Sequence, residues 1–195
     1  MATYQEYREL GDQWLITYAC TISGMPAPTL FIIGHSLESY CKSAILKNKP
    51  AANLLSKSYN HSIENMLQEI KREIGILSEV EFFPNVDKRF MTGGPPILSE
   101  ELMSDKEYLH YVANQELYWV AKYQKDIKYL GTSGKPMPTQ YSIFVMERNP
   151  YWIPIFKELR NFIMDNSNVS MYMESFLKSK TSPGFAVEYL RWICN

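Results

Sequence analysis

Apolar side chains recur along this chain every three to four residues, the rhythm of amphipathic helices. Tyr4, Tyr7, Gly11, Trp14, Tyr18 and Ile22 mark one face and predict a first helix near 3–23. Met25-Pro26-Ala27-Pro28 breaks it, because proline removes a backbone donor and restricts the residue before it. Leu30, Ile33, Leu37, Cys41 and Ala44 form the stripe of a second helix near 28–48, and Pro50 stops it. Ile63, Leu67, Ile70 and Ile74 line a third helix near 61–74, with Gly75 as its C-cap.

A long connection over 76–99 follows, rich in proline and glycine, with a short strand expected at 79–83. Ser104 and Glu107 have capping-box spacing and open the longest helix, near 104–130. Its stripe is Val112, Trp119, Tyr123, Ile127 and Leu130, and Gly131 closes it. Residues 131–150 read as a second long loop with extended character at 141–146. Helices resume near 151–165, 169–180 and 183–193. Ser182-Pro183 suits the start of the last, with serine as N-cap and proline at the first helical position. The pattern predicts an all-α chain.

Composition narrows the class. A chain of 195 residues suits a single domain over 1–195 with a full core. The net charge of −1 excludes coating nucleic acid by bulk charge. That near-neutrality hides a net of −5 over 59–110 and +2 over 111–148. Phosphate contact therefore fits Lys122 and Lys125 on the long helix better than the acidic loop, although a solvated helix face is the plainer explanation of those lysines. Three scattered cysteines, Cys20, Cys41 and Cys194, suit a reducing cytoplasm and no disulfide framework. The start MATYQEYREL is unlike a signal peptide, and no apolar run is long enough to span a membrane.

Most chemical motifs fail on spacing. Gly131-Thr-Ser-Gly134-Lys135-Pro136 has too short a glycine interval for a phosphate loop and follows a helix. Gly34-His35-Ser36 lacks the second glycine of a nucleophile elbow, since Glu38 stands there. His35, His61 and His110 are not spaced as metal ligands, so no metal and no cofactor is expected. One constellation is better. His35, Glu38, Ser39 and Lys42 share a helix face, and Glu38 precedes Lys42 by the favoured four residues. Spacing leaves two readings open: a modest surface ion pair, or a partly buried polar strip that fixes helix contacts or borders a cleft.

The segment His35-Ser-Leu37-Glu38-Ser-Tyr40-Cys41-Lys42-Ser-Ala44-Ile45-Leu46 resembles the second-helix signature of the HEPN family (higher eukaryotes and prokaryotes nucleotide-binding domains), written A-x-E-L-x-L-K-A-L-L. Asn60-His61-Ser62-Ile63-Glu64-Asn65-Met66 is similar to the G-H-D-L-x-x-L that opens that family's third helix. The two occur in order, within residues 28–74, about a quarter of the chain. The resemblance implies a prokaryotic, all-α, up-and-down bundle, commonly a homodimer. A HEPN-like core would occupy 1–130, with a helical extension over 131–195. Ser62 departs from the usual aspartate but could still cap the third helix, and Cys41 replaces a common leucine.

Ribonuclease members carry Arg-x4–6-His. An imidazole moves the proton of the ribose 2′-hydroxyl, and a guanidinium stabilises charge on the phosphorane. No arginine precedes His35, His61 or His110 at that interval, so no catalytic residue is assigned. The leading expectation is a catalytically inactive binding module for a nucleotide, RNA or a partner protein, such as a nucleotidyltransferase or toxin–antitoxin partner. Its surface would combine His35, Glu38, Lys42 and His61 with Lys122 or Lys125. Two alternatives stand beside it. One is a diverged ribonuclease pairing His61 or His110 with Arg148 or Arg160 in space. The other is an oligomerising scaffold using Tyr151, Trp152, Phe156, Phe162, Tyr172, Phe176, Phe185 and Trp192, for which an ordinary core is the plainer explanation.

Overall fold

A computed structural model describes residues 2–21, 26–56, 59, 61–78, 152–164 and 170–194. Among them the chain forms six α-helices and no strand. These are α1 (Tyr4–Thr21), α2 (Pro26–Asn48), α3 (Ile63–Glu69), α4 (Trp152–Ile163), α5 (Met171–Lys178) and α6 (Gly184–Cys194). The all-α expectation therefore holds over these residues. The strand expected at 79–83, the helix near 104–130, the loop over 131–150 and both Lys122 and Lys125 lie outside them.

α1 begins with a capping box that the apolar pattern did not single out. Glu6 Oε2 accepts from the Thr3 amide at 2.6 Å, and Thr3 Oγ1 accepts from the Glu6 amide at 3.2 Å. From there α1 runs antiparallel to α2. Ser43 Oγ donates to the Tyr4 carbonyl at 2.8 Å, and Ser36 Oγ donates to the Gly11 carbonyl at 2.9 Å. Small residues at these positions let two backbones approach, and each buried hydroxyl finds an acceptor. α2 is the central helix, buried almost all round from Ile33 to Leu46. α3 and α4 pack on α2, α5 and α6 pack on α1, and α6 also touches α4. Leu15, Tyr18, Leu37, Ile63, Met66, Phe156, Leu159 and Leu190 are among the core side chains.

A polar knot sits inside that core. The phenol of Tyr40 donates to Asp12 Oδ1, and Arg160 Nη1 bonds both Asp12 Oδ1 and, at 2.6 Å, the Tyr40 oxygen. It joins α1, α2 and α4, and all three side chains are buried. Burial opposes the guanidinium charge of Arg160, but Tyr40 and Asp12 outweigh it and hold its pKa above the ordinary arginine value. Burial likewise pushes the Tyr40 phenol well up, with Arg160 acting the other way. Phe156 meets the Tyr40 ring edge-on at 5.7 Å between centroids. Further along, Lys47 Nζ donates to the Phe162 carbonyl at 2.9 Å, a cation placed at the negative end of α4.

Three local details differ from the sequence expectation. α3 starts at Ile63, two residues late, because His61 adopts a left-handed φ of 58° that no helix accommodates. Ser62 occupies its N-cap position without a side-chain cap bond. The last turn, Ile70–Ile74, is π-helical, and the Gly75 amide donates to the Ile70 carbonyl five residues back at 3.3 Å. Gly75, at φ 78°, closes this turn as its sequence position predicted. Ser182 does not cap α6 either. Its hydroxyl donates to the Phe176 carbonyl at 2.8 Å, and Pro183 takes the capping position, its carbonyl accepting from the Val187 amide.

Gly11 is required by contact with Tyr40. A Cβ at Gly11 would stand 2.7 Å from two ring carbons, and the ring is fixed by its hydroxyl partners. Gly11→Ala should therefore destabilise the protein by about 1–3 kcal/mol from overpacking, despite a helix-propensity gain of roughly 1 kcal/mol. Urea denaturation tests this, and an unchanged or raised midpoint would contradict it.

Candidate functional site

The connection from α2 to α3 is held to α2 by charge. Lys42 Nζ lies 2.5 Å from Glu38 Oε1, the i, i+4 pair anticipated from spacing. His61 Nδ1 lies 2.9 Å from the same oxygen and 3.2 Å from Oε2. A carboxylate only accepts, so Nδ1 carries the proton in this contact. Glu38 is 4% exposed, while the Lys42 and His61 side chains are 12% and 23% exposed. Of the two readings left open, the pair is therefore the partly buried strip and not a solvated surface pair. The left-handed backbone at His61 costs roughly 1–2 kcal/mol, and its two contacts with Glu38 help to hold that conformation.

Electrostatics agree with the geometry. Burial raises the Glu38 pKa, but the Lys42 charge and hydrogen bond, followed by those of His61, outweigh it and leave the carboxyl below its ordinary range. Lys42 also lies 5.7 Å from the centroid of the Tyr7 ring on α1. A second cluster fastens the same connection to α3. Lys49 reaches Glu69 at 3.1 Å and Glu73 at 3.3 Å, and the Tyr59 hydroxyl donates to Glu69 at 2.9 Å.

The remaining proposed residues divide. His35 shares the helix face of Glu38, but its ring stacks on Trp14 of α1, with centroids 5.0 Å apart and planes 20° off parallel. Ser39 donates to the carbonyl of His35 at 2.8 Å, an internal helix bond. Glu38, Lys42 and His61 thus form one cluster, with His35 a turn away beside it. Arg160 bonds Asp12 and Tyr40 while His61 bonds Glu38, and no hydrogen bond or ion pair joins the two. Arg148 and His110 lie outside the described residues, as does Tyr151. Of the C-terminal aromatics, Phe156 is core and Phe162 and Phe176 are half-buried. Tyr172, Phe185 and Trp192 are 46%, 51% and 49% exposed.

Spacing alone missed Asp12 and Tyr40, although a signal was present. Asp12 adjoins Gly11 on the core side of α1, and Arg160 falls four residues after Phe156 on the α4 stripe. Opposite charges on two apolar faces point to a buried pair. Cys20, Cys41 and Cys194 are free thiols, and burial pushes the Cys41 thiol far up, so it is inert. Among the described residues no group of three metal-ligating side chains gathers, and no described helix is long and apolar enough to cross a membrane. The chain matches no protein-family model, no curated protein and no solved structure.

Because the folded Glu38 carboxyl is more acidic than the unfolded one, it stabilises the protein fully above the unfolded pKa of about 4.3. That contribution disappears as the pH falls through the lower folded value. Glu38→Gln should therefore lose stability at neutral pH and show a shallower decline below about pH 4.3 than wild type. Urea midpoints measured from pH 3 to 7 decide it, and parallel curves for the two proteins would count against this account.

Proposed function

We propose that this chain is a HEPN-like helical bundle without the ribonuclease pair, acting as a binding module for a phosphate-bearing ligand such as a nucleotide. The observation that carries this reading is the convergence of Lys42 and His61 on Glu38. Those residues come from the two segments that resemble the family, Glu38 and Lys42 from the first and His61 from the second. Lys42 keeps ammonium protons beyond the one given to Glu38. A phosphate dianion accepts such donors more strongly than a neutral group does. His35, on the same helix face, is stacked on Trp14 beside the cluster. In this reading Arg160 supplies no guanidinium to the site, because it is committed to Asp12 and Tyr40.

The test is amide-shift NMR with ribose 5-phosphate as probe. Wild type should show saturable shifts around residues 38, 42 and 61, weakened at least tenfold in Lys42→Met, which keeps the apolar stem. Folded Lys42→Met that binds as wild type does would remove the site. Mixed RNA should stay intact with the wild type. Cleavage that is lost in His61→Ala would replace this reading with the ribonuclease one.

A second reading, an oligomerising scaffold, is favoured by one observation. Met171, Tyr172, Phe185 and Trp192 expose large apolar surface on the neighbouring helices α5 and α6. On this reading light scattering gives a mass above 23 kDa that Phe185→Glu and Trp192→Glu reduce to the monomer value of 22.7 kDa. A monomer at high concentration in the wild type sinks it.

A further inference from the structure

A cavity of about 220 Å³ opens beside the ion cluster, lined by Ala2, Tyr7, Leu46, Ala52, Leu54 and Leu55, with Asn53 at its wall. Two observations tie it to Lys42. Tyr7 lines the cavity, and its ring centroid lies 5.7 Å from the Lys42 ammonium. Leu46 lines it too, and follows Lys42 on α2 by four residues, about 6 Å along the helix. The connection that supplies Ala52 to Leu55 is the one that His61 fastens to Glu38.

The lining is mainly apolar, so the cavity suits a predominantly apolar group. An apolar cavity of about 150 Å³ is enough to hold benzene. Sites for drug-sized ligands begin near 300 Å³. The space here falls between those marks and matches one ring or branched aliphatic group. Tyr7 presents one ring to both neighbours, an apolar wall to the cavity and a π-face to the lysine. An occupant that packs an apolar ring against Tyr7 shares that side chain with the Lys42 ammonium, which lies 5.7 Å from its centroid.

We infer that this cavity is a subsite for one ring-sized apolar group, and that the ligand of the cluster is a small molecule joining that group directly to a phosphate. The inference rests on the phosphate-binding reading above and narrows it. It selects a compact aryl or alkyl phosphate over an extended polymer, which would need a groove and a succession of cations. Asn53 holds the wall in shape, its Oδ1 accepting from the Leu55 amide at 3.1 Å. The cavity is thus built by a turn with its own internal bond, and does not depend on the ligand for its form.

Three probes separate the parts: inorganic phosphate, phenol and phenyl phosphate, each titrated into the full chain and followed by amide shifts. Phenyl phosphate should bind at least tenfold more tightly than phosphate, with shifts at residues 7, 46, 52 and 54. Ala52→Trp, which fills the cavity, should reduce phenyl phosphate to the affinity of phosphate and leave phosphate unchanged. Ala52→Leu fills less and should give an intermediate loss, and it keeps the test open if the tryptophan variant does not fold. Lys42→Met should weaken phosphate and phenyl phosphate by the same factor and spare phenol. Equal affinities for phosphate and phenyl phosphate in wild type overturn the subsite while leaving the ion cluster standing. Phenol binding without any phosphate binding overturns the inference through the reading on which it rests. Undiminished phenyl phosphate binding to folded Ala52→Trp overturns the cavity as its location.

Discussion

The arrangement of this protein depends on the bond set among Asp12, Tyr40 and Arg160. A charged arginine with 5% of its side chain exposed is tolerable only where a carboxylate meets it. The carboxylate comes from α1 and the guanidinium from a helix 148 residues later in the chain, with a phenol from α2 between them. That constraint explains several features at once. Gly11 has no side chain because Tyr40 must lie across it to reach Asp12. Ser36 and Ser43 keep α1 and α2 close and in register. Asp12 Oδ2 has no hydrogen-bond partner among the described residues. The knot acts as a specifier of register: opposite charges buried on particular turns exclude slipped packings that apolar contacts alone would tolerate.

The register so defined has a direct effect on the candidate site. Glu38 and Lys42 flank Tyr40 on α2, one residue pair on either side of the knot. A rotation of α2 that satisfied Tyr40 differently would turn Glu38 away from His61. The cluster around Glu38 closes a short-range loop, while the knot closes the long-range topology. Both converge on the same two turns of one helix. The resulting site stands on a rigid helix, opposed by a connection whose conformation is held by bonds at each end: His61 on Glu38, and Lys49 with Tyr59 on Glu69.

Much of the helical layout was legible in the residues. The i, i+3, i+7 series from Tyr4 to Ile22 and from Leu30 to Ala44 placed α1 and α2 within a few positions of their observed ends, because amphipathic period is a local property. Gly75 was legible for the same reason: a left-handed residue closing a helix is most readily glycine. Glu38 with Lys42 was legible as a pair, yet its burial was not, since burial depends on α1 and on the connection after α2. The contact from His61 to Glu38 spans 23 residues and requires a left-handed histidine that no propensity favours. The π turn over Ile70–Ile74 has no sequence signature in a run of ordinary helix formers. Asp12, taken alone, looks like a polar residue beside an apolar stripe, and Arg160 stands out only as a candidate partner for a histidine. Only their complementary signs on different helices reveal the pair.

The central position of α2 has a consequence for how this protein opens. A helix covered on almost every side from Ile33 to Leu46 exposes its amides to water chiefly when the bundle is dismantled. Hydrogen exchange at those positions therefore reports the global free energy of unfolding. The described part of the connection after α2 is instead held by short turn bonds, such as Ala52 to Lys49 and Ser56 to Asn53, together with side-chain bonds at its ends, and its amides need only local opening to exchange. Glu38 lies on the buried helix and His61 in the connection, so the cluster joins two segments of unlike burial. A ligand held by both groups would slow exchange in the connection far more than in the helix, and so reveal its presence in protection factors before any change of shape.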